Sequence, residues 1–287
     1  MRYSYVLITP AKNEQDYIEA VIGSVVSQSL APRKWIIVSD GSTDRTDKIV
    51  RAHAKGRDFI QFIRLDENRE RNFAAKVEAF DAGLRLLAGI DYDIIGNLDA
   101  DITFPPDYFE YLLARFEQNP RLGVAGTAFI EEGGRYDYRF TNIEHVSGQC
   151  QLFRRRCFEQ IGGYKPIKEG GIDWVAVTTA RMFGWQTRTF TGKTFRHHRT
   201  MGAGNWSGLR LHFKQGQKDY RCGNHPLWEL FRAFYQSLGK PYVLRGLLII
   251  SGYVWSSIRI DKRPIPVDLM RFIRAEQLRR LKAKLFF

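Results

Sequence analysis

The sequence predicts an α/β protein: a mostly parallel sheet flanked by helices, followed by a basic helical extension. Three observations carry this. Short apolar runs alternate with helical periodicities through the first 130 residues, polar clusters sit directly after the apolar runs, and the excess positive charge is confined to the last third of the chain.

Tyr5 to Thr9 reads as the first strand, and Ile18, Val21, Ile22 and Val25 then repeat at three and four within a helix predicted over 14–28. Trp35-Ile36-Ile37-Val38 is a second buried strand, followed by a helix over 44–54 with Ser42 or Thr43 as its cap and Gly56 past its end. Phe59 to Ile63, a helix over 72–87, and Ile94 to Leu98 complete four strands separated by helices, the pattern of a parallel sheet. Farther on, 123–130 is strand-like, 131–142 is a polar loop, and short helices are expected over 157–161 and 173–183, each stopped by glycine. Arg154-Arg155-Arg156 reads as a solvated helix start, and the glycines and paired histidines of 191–207 as a loop.

Apolar residues are 44 % and charged residues 26 % of the 287-residue chain, which excludes a disordered, collagenous or multi-span membrane protein. The net charge of +13 is unevenly spread: residues 1–200 carry 28 basic and 26 acidic side chains, whereas 201–287 carry 16 and 5. Three cysteines, Cys150, Cys157 and Cys222, with no CxxC pair, indicate neither a disulfide framework nor a zinc knuckle and suit a reducing compartment. No export signal is expected, because the first strand begins within a few residues of Met1.

In a parallel α/β sheet, ligands sit beyond the carboxyl ends of the strands, so the residues just after each strand are the candidates for chemistry. They are Pro10-Ala11-Lys12-Asn13-Glu14, Ser39-Asp40-Gly41-Ser42 and Asp99-Ala100-Asp101, which should converge on one cleft. Two carboxylates at i and i+2 can hold a hard divalent cation whose other ligands are phosphate oxygens and water. A carboxylate such as Asp40 can accept from a base N–H or a ribose hydroxyl. Alone, the acidic pair is equally an exposed turn before Pro105-Pro106, and Asp40 with Ser42 has the alternative of merely capping the next helix.

In this order and spacing, Ile8 to Glu14, Val38 to Asp44 and Asp99 to Asp101 resemble the family 2 glycosyltransferases of GT-A fold, over roughly residues 4–200. The resemblance implies an inverting transfer from a nucleotide-sugar donor. Pro10, Lys12, Glu14 and Asp40 would lie near the base and ribose, Lys76 near the nucleotide, and Asp99, Ala100 and Asp101 at the diphosphate, with Mg²⁺ or Mn²⁺ held mainly by Asp101. It also implies a catalytic carboxylate opening a helix that ends in glycine plus an aromatic. Counting back from Gly184-Trp185 selects Asp173 as general base, with the glutamate expected before it replaced by Ile172 and Glu169 displaced. The resemblance also makes His197 and His198 candidate further metal ligands, with Arg196 and Arg199 beside them suited to phosphate, and implies that Gln149 borders the sugar and acceptor pocket.

These readings divide the chain into a catalytic domain over 1–205, with a nucleotide half 1–102 and an acceptor half 103–205, and an extension over 206–287. The uncharged window 246–258 is shorter than the roughly 20 residues a spanning helix needs. The last helix sets Met270, Ile273, Leu278, Leu281 and Leu285 amid six basic residues, the pattern of a basic amphipathic helix on an anionic membrane surface. A peripheral protein on the cytoplasmic face of the membrane is expected, acting on a lipid-linked or saccharide acceptor in polysaccharide or glycoconjugate synthesis. The same helix suits pairing into a homo-oligomer. Two alternatives differ in class. A sugar-phosphate nucleotidyltransferase would carry a glycine-rich loop after the first strand, which 10–14 lacks. A nucleic-acid-binding protein would use Trp228, Phe231, Phe234 and Tyr235 as stacking platforms; no nucleic-acid partner is expected, since that spacing also suits packing on the core or in lipid.

Overall fold

The computed structural model describes residues 3–66, 72–131, 134–135, 142–168, 170–199, 209–238 and 242–285, the side chains at 134–135 and 284–285 excepted. The chain separates into two compact units, Met1–Thr200 and Met201–Phe287.

The first unit opens with β1 (Tyr5–Ala11), α1 (Ile18–Val26), β2 (Lys34–Asp40), α2 (Thr46–Ala54), β3 (Ile60–Leu65), α3 (Phe73–Arg85) and β4 (Ile94–Leu98). All pairings among these strands are parallel, with Leu7 in register with Trp35 and with Gly96. Near-continuous burial of β1, β2 and β4 is what a parallel sheet covered on both faces requires. Trp35 is fully buried, and its Nε1–H donates to Thr9 Oγ1 at 2.9 Å, so its one polar atom is satisfied inside the core. On α3, a Cβ at Gly83 would stand 2.8 Å from Ile8 Cγ2; the missing side chain lets that helix lie close on β1 and β2 and brings its first turn, with Lys76, to the carboxyl ends of the strands.

The unit continues through β5 (Ile102–Thr103), α4 (Tyr108–Gln118), β6 (Leu122–Glu131), β7 (Gly134–Arg135), β8 (Cys150–Arg154), α5 (Arg155–Ile161), α6 (Ile172–Met182) and β9 (Gln186–His197). The sheet runs β3-β2-β1-β4-β8-β6-β9-β5, with β7 beside β6. β8 enters antiparallel against β4, and β5 antiparallel against β9, pairing Ile102 with His197.

Several elements differ from the sequence expectation. α1 begins at Ile18 rather than 14; the residues before it form a turn in which the Glu14 carbonyl accepts from the Tyr17 and Ile18 amides, while the Glu14 and Gln15 amides donate to Thr46 Oγ1 and Asp44 Oδ2. At the start of α2, Asp44 rather than Ser42 or Thr43 accepts the Thr46 N–H; the Ser42 hydroxyl is engaged by Ser39 and by the Asn13 amide. The described part of the expected loop over 191–207 is mostly strand. β9 buries Thr187, Thr189, Phe195 and His197, an alternating face whose threonines conceal the period of two. Arg154 is not solvated: its guanidinium donates to the carbonyls of Phe116, Asn119 and Leu122 and lies over Tyr3.

The second unit holds α7 (Leu209–Arg221), α8 (Pro226–Gln236), α9 (Leu244–Ile258) and α10 (Val267–Leu285). α7 and α9 cross in backbone contact, Gly216 against the Ile249 carbonyl and Gly252 against that of Phe213. On α10, Leu269, Ile273 and Leu281 are buried and Met270 packs against Gly223, so the apolar residues expected to meet a membrane mostly face protein instead. The Leu285 side chain lies outside the described residues. Among those residues, no helix is long and apolar enough to cross a membrane.

Candidate active site

The three strand-end segments meet as the parallel topology demands. After β1, Asn13 sits at φ 54°, and its Oδ1 accepts the Thr43 N–H at 2.8 Å while its own N–H donates to Ser42 Oγ at 3.1 Å. Lys12 Nζ stands 3.5 Å from Asp40 Oδ2. The turns following β1 and β2 are thus tied into one rim.

Glu14 is 4 % exposed, and the Arg199 guanidinium donates to both of its oxygens, at 3.1 and 2.7 Å, in the forked geometry that suits this pair. The same guanidinium is 3.8 Å from Asp101 Oδ2 and lies over the Tyr17 ring. It therefore links the β1 end to the β4 end.

After β4, Asp99 donates its backbone N–H to the Gln149 carbonyl at 2.8 Å, and its Oδ1 accepts from Lys76 Nζ. Burial pushes the Asp99 carboxyl above its ordinary range; Lys76 opposes this and Asp101 adds to it. Asp101 goes the other way. Burial raises it, but the neighbouring His197, then Arg199 and Lys76, outweigh burial and hold it below the ordinary carboxylate range. Asp101 is accordingly the more readily ionised of the two carboxylates.

His197 Nε2 lies 3.6 Å from Asp101 Oδ2, and its Nδ1 is 2.7 Å from Glu131 Oε1 at the end of β6. Burial lowers its affinity for a proton, yet the two carboxylates more than offset this and hold it raised. His198, next along the chain, turns elsewhere: its Nε2 is 2.9 Å from Thr103 Oγ1 and its ring stacks on Tyr17. Its backbone N–H donates to the Asp101 carbonyl at 2.9 Å.

Asp173 lies in the first turn of α6, with Gly171 in the left-handed region before it. A Cβ on Gly148 would stand 2.9 Å from the Asp173 Cβ, and the Gly148 carbonyl accepts from Asn97 Nδ2 at 2.7 Å, itself 3.5 Å from Asp99 Oδ1. His145 Nε2 is 3.9 Å from Asp173 Oδ2. The buried Tyr164 hydroxyl donates to Gln151 Oε1 at 2.8 Å and is held well above its ordinary value by burial and then by the charges of Asp173 and Asp99.

Lys12 thus pairs with Asp40, Lys76 with Asp99, and Asp101 with His197 and, through Arg199, with Glu14. Pro10 lies within β1 opposite Val38, Ala100 is buried, and the described contact of Gln149 is through its carbonyl. Glu169 lies outside the described residues. Sequence reading missed Glu131, Asn97 and His145: Glu131 ends β6 beside His197 of β9, Asn97 lies on β4, and His145 lies in the segment before β8, its carbonyl held by Thr189 of β9.

Among the described residues, no group of three or more His, Cys, Asp or Glu side chains is arranged to hold a metal ion. Asp101 with His197 nevertheless fits a divalent cation that takes its other ligands from a bound diphosphate and water. A charged carboxylate and an imidazole whose second nitrogen is fixed by a carboxylate suit Mn²⁺ or Mg²⁺.

Residues 6–167 match the profile of "Glycosyl transferase family 2". The chain belongs to glycosyl transferase family 2. Among relatives in this family, it is 31 % identical over 136 residues to the poly-β-1,6-N-acetyl-D-glucosamine synthase of Staphylococcus aureus (strain MSSA476), a match covering 47 % of this chain and 31 % of that protein. The Staphylococcus epidermidis synthase matches at 30 % over 136 residues, with the same coverage. The matched region spans about a third of the length of these relatives. Among solved structures, the mannosyltransferase PcManGT from Pyrobaculum calidifontis, in complex with GDP-Man and Mn²⁺, is similar with a TM-score of 0.59 at 17 % identity, covering 100 % of this chain and 81 % of that one. S. aureus TarS 1–349 in complex with UDP-GlcNAc gives 0.59 at 13 %, covering 94 % and 78 %. At these identities the likeness establishes the fold, that of GT-A glycosyltransferases.

Proposed function

We propose that the first unit transfers a glycosyl group from a nucleoside-diphosphate sugar to an acceptor hydroxyl, with inversion at the anomeric carbon. The observation that carries this reading is the pairing of a buried, charged Asp101 with His197 at the carboxyl end of β4, with a second carboxylate, Asp173, one glycine away from the same strand end. Family membership supports the reaction class, and the nucleotide-sugar complexes of the structural neighbours support the donor class. The polysaccharide synthases among the relatives support a saccharide acceptor, free or lipid-linked.

In this reading, Lys12 and Asp40 flank the base and ribose, and Arg199 and Lys76 are the cations nearest the leaving diphosphate. Asp101 and His197 would hold Mg²⁺ or Mn²⁺, with Glu131 fixing the imidazole. A divalent ion bound there would neutralise charge on the departing diphosphate. Asp173 takes the proton of the acceptor hydroxyl as its oxygen attacks the anomeric carbon and the bond to the β-phosphate oxygen breaks. The leaving diphosphate and the acceptor are therefore on opposite faces of the sugar ring.

The test is transfer from a panel of radiolabelled nucleoside-diphosphate sugars to saccharide and lipid-linked acceptors, with wild type and Asp173→Asn. Asp173→Asn should lower kcat by about 10²- to 10⁴-fold with donor KM nearly unchanged. Full activity in that variant would remove Asp173 as the base, and no transfer from any donor would remove the reading.

A further inference from the structure

Two neighbouring helices of the second unit present apolar side chains to solvent. On α8, Leu227, Leu230, Phe234 and, just beyond its end, Leu238 follow helical spacing and are exposed, Phe234 to 69 %. On α9, Leu244, Leu247, Val254 and Ile258 do the same, Ile258 to 74 %. The helices are neighbours: the bare Cα of Gly246 on α9 abuts the Ala233 carbonyl on α8. Charge is withdrawn from both. Glu229 is fully buried and Arg232 is bound to Asp219, while α9 carries one charged residue, Arg245, in its first turn.

An exposed apolar surface of this extent marks an interaction site. The occupant is indicated by charge and length. Residues 201–287 carry 16 basic against 5 acidic side chains, with exposed Arg259 and Lys262 directly following α9. A second copy would bring a like-charged unit against this surface, whereas an anionic bilayer is complementary to it. Fifteen residues of α9 extend about 22 Å, less than the roughly 30 Å of a hydrocarbon core, so the helix lies in the interface rather than across it. We infer that the α8–α9 surface, and not the apolar face of α10, docks this protein on anionic lipid. The stripes enter the headgroup boundary and the surrounding cations meet lipid phosphates. This inference is independent of the transfer chemistry.

The test is flotation of the full chain with vesicles containing roughly a third phosphatidylglycerol in phosphatidylcholine, against pure phosphatidylcholine, without nucleotide. Wild type should float with the anionic vesicles, and Leu230→Ser/Phe234→Ser/Leu247→Ser/Ile258→Ser should bind at least about tenfold more weakly. All four positions are exposed, so the thermal midpoint should be unchanged, which separates lost docking from lost folding. As a second readout, an environment-sensitive dye on Ile258→Cys should shift to the blue with vesicles, and one on Arg271→Cys, on the exposed side of α10, should not. Equal partition of the quadruple variant, equal dye shifts at both positions, or a dimer in solution with no vesicle binding would each overturn the inference.

Discussion

Gly148 has no side chain for a geometric reason. Its Cα faces Asp173, and its carbonyl holds the Asn97 amide that neighbours Asp99. Gly148→Ala places a methyl group 2.9 Å from the Asp173 Cβ, so the carboxylate must shift while the Asp101–His197 pair is untouched. A misplacement on the order of 1 Å costs about 10²-fold in rate. Steady-state kinetics of Gly148→Ala should therefore show kcat lowered by roughly that factor with donor KM held; a raised donor KM with kcat intact would show that Asp173 serves the donor instead. The residues legible in sequence at this scale are those whose signal is local. Asp99-Ala100-Asp101 and the turn around Asp40 follow buried strands, and position alone marks them. Glu131 and His145 gave no such sign, because each meets its partner across more than 25 residues, through the pairing of β6 with β9 for Glu131 and between a loop and the first turn of α6 for His145, which no short motif encodes.

At the scale of elements, α8 illustrates what periodicity can and cannot tell. Its polar contacts tie the second unit together: Asn224, just before it, bonds to Glu229 at 3.1 Å, to Gln277 of α10 at 2.8 Å and, through its carbonyl, to Tyr253 of α9 at 2.7 Å. Glu229 sits beside Asp219 and Arg232, and burial, then Asp219, against the pull of Arg232, push it up to about 8 from an ordinary value of 4.5. The folded protein thus keeps this proton where the unfolded chain has released it. The stabilisation is present in full below pH 4.5, declines as pH rises through about 8, and is flat above. Denaturant titrations from pH 5 to 9 should show wild type losing stability relative to Glu229→Gln across that window; parallel profiles would mean that Glu229 is ionised in the fold. The same logic explains α10. Its alternation of apolar and basic residues is visible in sequence, but whether an apolar face meets protein or lipid depends on neighbours, and here Leu269 and Ile273 meet protein. β9 was hidden for a different reason, since threonine fills two of its inward positions.

For the whole molecule, the parallel half was readable because β1, β2 and β4 are buried runs, with β3 at the sheet edge, separated by amphipathic helices, and the strands that follow lack so regular a pattern. The fold gathers three strand ends into a cluster in which Arg199 joins Glu14 to Asp101, and His197 returns from the far end of the unit. The central claim is that this cluster binds a nucleoside diphosphate together with a divalent cation at Asp101. The most direct measurement is a thermal-shift series with UDP, GDP, CDP, ADP and dTDP, each with and without Mn²⁺, on wild type and Asp101→Ala. A ligand at about 100 times its Kd adds roughly 2.7 kcal/mol, a shift of several degrees for a chain of this size. The account predicts such a shift for at least one diphosphate, in the presence of Mn²⁺ and with Asp101 in place. No shift for any diphosphate, or equal shifts in wild type and Asp101→Ala, would contradict it.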